Sequence, residues 1–388
     1  MHNNISKNIN SCSGCGLCIS ICPTKAIKVK YSKGFLRPKI DNKKCVSCGK
    51  CINNCPCKED NQKSVFYNSF NIIGYAHSND NNTRNEAASG GFTTELLKYL
   101  LETNKVDYII TADTYKNNKY CGYRIISRDN ISDLYMVSGS NYCPVNIGEA
   151  IIEIKKRKGK CAIVCLPCLA RGIKKYLDTH KQLNEKIKYI IALLCNHIPS
   201  FYATDFLLKK YNILKRPELI KYRGNGWFGN FRVFTKKNKN NYIEFFSIPF
   251  EEYFSTQFSI YFWQKACINC KDHFGFYADI CMGDADFIKY RNEINENIGE
   301  TIFFTNNQEI KRIINEMKKS KLIESFYDIL DDELKIIYNP LSDINRANES
   351  NLGNGFLFIY YLIILDILKS FLYRFKKLIK SLIHFLHH

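Results

Sequence analysis

Nothing in these 388 residues reads as a membrane span: the uncharged stretch Phe356 to Leu365 is only ten residues long before Asp366 interrupts it, and a spanning helix needs roughly 20. No apolar signal segment opens the chain. No G-x-G-x-x-G follows any strand-like stretch, so the dinucleotide fingerprint is missing. Acidic side chains are the scarce charge: 37 Asp and Glu against 56 Lys and Arg give a formal charge of +19. Such an excess favours anionic partners, namely a phosphorylated cofactor, an acidic redox protein or a lipid surface. No nucleic-acid module accompanies it, so nucleic acid is not an expected partner.

Cysteine, by contrast, is abundant: there are 18. Eight of them form two runs, Cys12-Ser-Gly-Cys15-Gly-Leu-Cys18-Ile-Ser-Ile-Cys22-Pro23 and Cys45-Val-Ser-Cys48-Gly-Lys-Cys51-Ile-Asn-Asn-Cys55-Pro56. Each reads C-x2-C-x2-C-x3-C-P, the bacterial ferredoxin spacing, in which the fourth cysteine ligates the other cluster. This assigns Cys12, Cys15, Cys18 and Cys55 to one 4Fe–4S cluster and Cys45, Cys48, Cys51 and Cys22 to a second. Zinc sites use separated pairs of ligands rather than this repeat. Gly14, Gly16 and Gly49 free the backbone to turn amide N–H groups toward sulfur. Between the loops, Ile27, Val29 and Tyr31 alternate with Lys28 and Lys30, and Lys33-Gly34 precedes Phe35, which predicts a short hairpin. Iron–sulfur loops beside many further thiols point to a reducing cytoplasm.

The chain is long enough for two or three domains. Residues 1–60 form the two-cluster domain, and a polar linker occupies 58–70. From residue 71 onward, apolar runs of strand length (71–76, 106–112, 161–165, 189–194) alternate with helical segments such as 169–177, which predicts a parallel sheet covered on both faces. Ala88-Ser89-Gly90-Gly91-Phe92-Thr93 opens a helix, with Ser89 as its N-cap. An open helix start suits phosphate, although these residues read equally well as a flexible capped turn. Cys168 and Cys195 fall at the carboxyl ends of strand-like runs, where open α/β sheets place ligands. With Cys267-Ile-Asn-Cys270 they allow a third cubane, a redox disulfide, or scattered buried thiols. In the tail, 355–388, Phe371, Leu372, Phe375, Leu378, Ile379, Leu382, Ile383 and Leu386 share helical spacing among Lys369, Arg374, Lys376, Lys377 and Lys380. This basic amphipathic helix suits an anionic membrane surface or packing against protein.

With these landmarks in order, the chain resembles the coenzyme F420 hydrogenase/dehydrogenase beta-subunit family over about residues 10 to 325. The motifs that carry the resemblance are Ala88-Ser-Gly-Gly-Phe92, Gly139-Ser-Asn-Tyr142, Leu166-Pro-Cys168, Cys195-Asn-His-Ile-Pro-Ser200, Tyr222-Arg-Gly-Asn-Gly-Trp227, Cys267-Ile-Asn-Cys270 and Ala278-Asp-Ile-Cys-Met-Gly-Asp284. The resemblance implies an α/β flavin-binding domain behind the α+β ferredoxin-like one, split into an N-terminal part (71–150) and a C-terminal part (151–330). It implies FAD, held at its phosphate by Ser89, Gly90 and Gly91 with Thr93 alongside, and lined by Gly139, Ser140 and Tyr142. It also implies that Cys168, Cys195, Cys267 and Cys270 ligate a further 4Fe–4S cluster. Three departures bear on the carrier. Cys165-Leu-Pro-Cys168-Leu169 replaces the family's Gly-Thr-Pro-Cys-Gln, Asn196 separates Cys195 from His197, and Ala285-Asp286 replaces Ala-Trp.

On this reading the protein is an oxidoreductase that passes electrons between clusters, FAD and a small carrier such as coenzyme F420, or a ferredoxin. Its rival is an electron-transfer subunit with no substrate of its own, feeding a larger complex or a membrane quinone pool. His197 is the first-choice acid–base residue, and Lys271, Arg223 and His273 are candidates to stabilise a reduced flavin anion. The location expected is the cytoplasm, with peripheral membrane contact as one reading of the tail.

Overall fold

The computed structural model describes residues 3–58, 69–116, 122–215, 217–238, 241–268, 270, 272–285 and 299–327. Lys271 and the tail 355–388 lie outside the described residues.

The two cysteine loops build a repeated unit. Gly16 and Gly49 are the N-caps of helices Leu17–Ile21 and Lys50–Asn53, both with left-handed backbone (φ 83° and 74°). Strand β1 (Ile27–Ser32) pairs antiparallel with β2 (Phe35–Ile40), from Ile27 opposite Ile40 to Ser32 opposite Phe35. Its two-residue turn is Lys33-Gly34, both at positive φ, as a tight hairpin with right-handed strand twist demands.

Strands β3 (Ile72–Ser78), β4 (Tyr108–Ala112), β5 (Tyr115–Lys116), β6 (Tyr123–Ser127), β7 (Cys161–Cys165) and β8 (Ile187–Leu193) follow. After them come β9 (Leu219–Lys221), β10 (Asn230–Asn238), β11 (Asn241–Pro249), β12 (Ile280–Asp284), β13 (Thr301–Thr305) and β14 (Ile323–Phe326). The main sheet has the order β14-β3-β13-β12-β8-β7-β4-β6. Its centre, β4, β7, β8 and β12, is parallel as the sequence predicts. Its flanks are not: β6 runs antiparallel to β4, β13 to both β12 and β3, and β14 to β3. Continuous apolarity reports burial on both faces, not strand direction. β13 is buried along its whole length and yet runs antiparallel. A second sheet, β11-β10-β9-β5, stands apart and was not expected.

Adjacent residues of the central strands serve opposite cores. Ile109, Val164, Ile191 and Met282 pack with Leu96 and Leu100 of helix Phe92–Glu102 and with Ile313 and Met317 of helix Gln308–Lys319. Ile110, Ile163 and Ile190 pack on the other face with Ile151, Ile154 and Ile173. Leu17 and Ile21 of the first cysteine loop complete that second core, so the ferredoxin-like unit is docked on the sheet by apolar burial.

Gly148 sets how close that docking is. Its N–H donates to the carbonyl of Cys15 at 2.8 Å, and Ser20 Oγ donates to its carbonyl at 2.9 Å. A Cβ at this position would lie 2.5 Å from Leu17 N and 2.6 Å from the Cys15 carbonyl oxygen, both main-chain atoms that cannot swing aside. Gly148→Ala is therefore expected to cost about 1–3 kcal/mol, the range for overpacking. A fall in the thermal midpoint with both ferredoxin clusters retained checks it; an unchanged midpoint would show that the docking yields freely.

Candidate functional site

Cys12, Cys15, Cys18 and Cys55 all line one small cavity of about 20 Å³. Cys55, from the second run, is thus brought beside the first loop. Gly14, with φ 75°, points its N–H at Cys12 Sγ at 3.3 Å. Burial pushes the Cys15 thiol up to about 12, and the neighbouring Cys55 and Cys12 add to the rise. Burial raises Cys12 as well, opposed by the Gly14 N–H and the Arg37 guanidinium. Several thiolates cannot share such a space without a cation; iron supplies one.

The other set is more open. Cys22 and Cys51 lie in a core with Cys18, Cys55 and Ile52, and Ala26 N–H donates to Cys22 Sγ at 3.3 Å. Cys48 is exposed. Cys45 accepts Asn4 Nδ2 at 3.4 Å, and its thiol is lowered chiefly by the Ser47 N–H. Among the described residues, no three Cys, His, Asp or Glu side chains close on a single metal ion.

A further cavity of about 40 Å³ is lined by Cys168, Cys195, Cys267 and Cys270. Cys168 is the second residue of helix Pro167–Leu177, which starts just beyond β7, and Cys195 follows β8. Cys267 belongs to helix Lys265–Ile268, and Cys270 N–H donates to its carbonyl at 3.1 Å. Burial raises the thiols of Cys168, Cys195 and Cys267, the last to about 11. Sequence reasoning missed a fifth lining residue, Cys57, which is 6% exposed. Its one signal is position, a thiol directly after Cys55-Pro56. Arg171 and Asp272 close the cavity as a buried ion pair at 3.5 Å.

The carboxyl ends of the four parallel strands open onto a cleft of about 470 Å³, walled by Thr111, Val164, Leu193 and Met282. Ser89, Gly91, Thr93, Gly139, Ser140 and Tyr142 border it, together with Asp284. Gly90 does not. A Cβ there would lie 2.9 Å from Thr301 N and 3.0 Å from the Ala76 carbonyl, so it packs against β13 and β3 instead. Ser89 is not the N-cap: Gly91 is, at φ 77° and with no side-chain cap, while Ser89 Oγ meets Thr301 Oγ1 at 3.1 Å. The first-turn N–H groups of helix Phe92–Glu102 therefore lack a capping side chain at the cleft's edge.

A chamber of about 320 Å³ shares Tyr142, Cys195 and Asp284 with the cleft and reaches Cys15 and Cys168. Ser13 borders this chamber and both cysteine cavities. Arg223, 1% exposed, binds Asp284 at 2.9 Å, donates to Tyr142 Oη at 2.8 Å and to the Ala88 carbonyl, and lies over the Phe250 ring. Its charge is thus committed to Asp284. His197 lines the chamber, tilted 30° against the Trp263 ring with centroids 3.8 Å apart, and neither ring nitrogen has a partner among the described residues. Burial, with a smaller effect from His273, brings its pKa down to about 3. A neutral imidazole here can hydrogen-bond but holds no proton to give near pH 7. His273 borders the cleft, its Nδ1 2.7 Å from the Cys195 carbonyl.

Three family models match. Residues 11–58 match the 4Fe-4S dicluster domain. Residues 73–151 match the N-terminal model of the coenzyme F420 hydrogenase/dehydrogenase beta chain, and residues 158–326 its C-terminal model. The chain is similar to one of the subunits of F(420)H(2) dehydrogenase from Methanosarcina mazei, at 23% identity over 257 residues. That match takes in 65% of this chain and 61% of the relative, so the chain spans about three fifths of the relative's length. It also resembles in fold a chain solved in a xenon derivative of the F420-reducing NiFe hydrogenase complex from Methanosarcina barkeri. There the TM-score is 0.53 at 16% identity, covering 75% of this chain and 93% of the other. The N-terminal loops are an iron–sulfur domain, and the chain belongs to the coenzyme F420 hydrogenase/dehydrogenase beta-subunit family.

Proposed function

We propose that the protein is an iron–sulfur flavoprotein oxidoreductase with three 4Fe–4S clusters and one FAD, passing electrons between a protein donor or acceptor and a small two-electron carrier. The carrying observation is one of arrangement. Cys168, Cys195 and the pair Cys267 and Cys270 come from three separate stretches of chain and line one cavity, and the chamber beside the strand-end cleft reaches both Cys168 and Cys15 of the first cysteine cavity. FAD would supply the exchange between paired and single electrons. The chain's own residues hold and orient it. Ser89, Gly91 and Thr93 present a helix start to a phosphate, and Tyr142 and Ser140 line the same cleft. The Arg223–Asp284 pair fixes Tyr142 from behind, and Phe250, Phe254 and Phe258 line the chamber.

Anaerobic purification followed by iron, sulfide and flavin quantification tests the reading. The expected result is about twelve irons and one FAD per chain. About eight irons with FAD would remove the third cluster, and no flavin would overturn the flavoprotein. Gly91→Val is expected to abolish flavin retention while leaving the iron content unchanged. It forces a β-branched residue into a left-handed conformation, with its Cβ 3.1 Å from the Thr83 carbonyl. Retention of FAD by that variant would move the phosphate site elsewhere.

A second reading is supported by the relatives, one named as part of a dehydrogenase and the other as part of a hydrogenase complex. In it the chain serves a larger assembly. Assaying the purified protein with deazaflavin, nicotinamide nucleotide and reduced ferredoxin separates the two. Failure of every small donor without a second protein would favour the role within an assembly.

A further inference from the structure

Two side chains outside every cysteine motif join the first and third thiol cavities. Arg37, on β2, donates through Nη1 to the Cys12 carbonyl at 2.6 Å and to Gln264 Oε1 at 3.0 Å. Gln264, 3% exposed, donates through Nε2 to the Ser13 carbonyl at 3.2 Å and to Cys267 Sγ at 3.5 Å. Arginine can only donate, so it fixes which end of the amide is oxygen and turns Nε2 toward the sulfur. Arg37 borders the first cavity and Gln264 the third.

We propose that Arg37 and Gln264 are positioning residues that hold the two cavities in register and raise the reduction potentials of the clusters on either side. The inference rests on the reading that Cys12 and Cys267 each ligate a cluster. Reduction adds negative charge to a cluster, and an N–H donated to a ligand sulfur or a fixed cation nearby stabilises the reduced state. Of the ligand sulfurs Gln264 reaches only Cys267, whereas Arg37 meets the Cys12 carbonyl on one side and Gln264 on the other. Removing Gln264 should therefore lower one midpoint, and removing the Arg37 charge should lower two.

The test is potentiometry followed by electron paramagnetic resonance on the full-length protein, purified anaerobically, with iron counted in every sample. In Gln264→Leu the third-cluster midpoint is expected to fall, with wild-type iron content and unchanged ferredoxin-cluster midpoints. Arg37→Gln is expected to lower the third-cluster midpoint and one ferredoxin midpoint. The other ferredoxin cluster, at Cys45 and Cys48, stays fixed as an internal reference. Arg37→Lys, which keeps the charge, should return the ferredoxin midpoint most of the way. Full iron with unmoved midpoints would overturn the proposal, and so would iron loss in Gln264→Leu, which would make the glutamine a structural prop. A wild-type count of about eight irons would instead overturn the third-cluster reading itself, before any variant is compared.

Discussion

Replacing Cys168 with alanine is expected to remove about four of the roughly twelve irons proposed above and to leave the dicluster domain reducible but disconnected from the proposed flavin. Cys168 is placed by two features of its surroundings. β7 is buried along its whole length and fixes the end of the sheet, and Pro167 then starts a helix at once. The thiol thus stands in the first turn of that helix, where burial raises it and the Arg171 guanidinium opposes the rise. The ionisable groups that act on it are Cys15 on the ferredoxin side and Cys270, Arg171 and Cys267 on its own. Losing it removes a ligand and the side chain that couples that cavity in charge to the first loop. The dicluster domain should survive, because its eight cysteines all come from residues 12–55. Iron and sulfide counts, resonance spectra of the dithionite-reduced protein, and stopped-flow flavin reduction by reduced ferredoxin together read the outcome. About twelve irons, or about eight with undiminished flavin reduction, would remove Cys168 from the electron path.

What could be read from the sequence was local. The cysteine spacing, the glycines at 14, 16 and 49 and the Lys33-Gly34 turn are set by neighbours within a few residues; the dicluster family model matches the first, and the structure agrees with the glycines and the turn. The alternation of β7, its helix and β8 was legible for the same reason. Strand direction was not, because hydropathy records how many faces are covered and β13 is covered on both. The second sheet escaped notice because β5 and β9 are two and three residues long and meet across about a hundred positions of chain. Ser89 looked like a cap because serine is a good one, yet Thr301, from a distant strand, takes its hydroxyl. Arg223 looked free to serve a flavin, but Asp284 already holds it. The Arg37–Gln264 link spans 227 positions and belongs to no motif. Residue type and spacing named the candidate cluster cysteines; the side chains that hold them in relation to one another show only in the fold.

Arg171→Leu is expected to destabilise the protein by about 3–5 kcal/mol, the cost of leaving a buried charge without its partner. Arg171 and Asp272 are 5% and 0% exposed, and the pair is enclosed between helix Pro167–Leu177 and the segment after Cys270. Asp272 is held by more than the arginine. Gly275 N–H donates to its Oδ1 at 2.9 Å, and burial raises its carboxyl while Arg171 opposes the rise. The arginine also donates through Nη2 to the Pro56 carbonyl at 2.9 Å, so one side chain braces the end of the second cysteine loop against the third cavity. Leucine would fill part of the space but strand the carboxylate and free that carbonyl. A fall in the thermal midpoint on the order of 10 °C, with iron lost first from the proposed third cluster, would register both effects. Arg171→Leu combined with Asp272→Leu should recover most of the midpoint, since a buried pair exchanged for apolar side chains is often neutral. If the double variant is instead as unstable as the single, the link to Pro56 carries the stability and the ion pair does not.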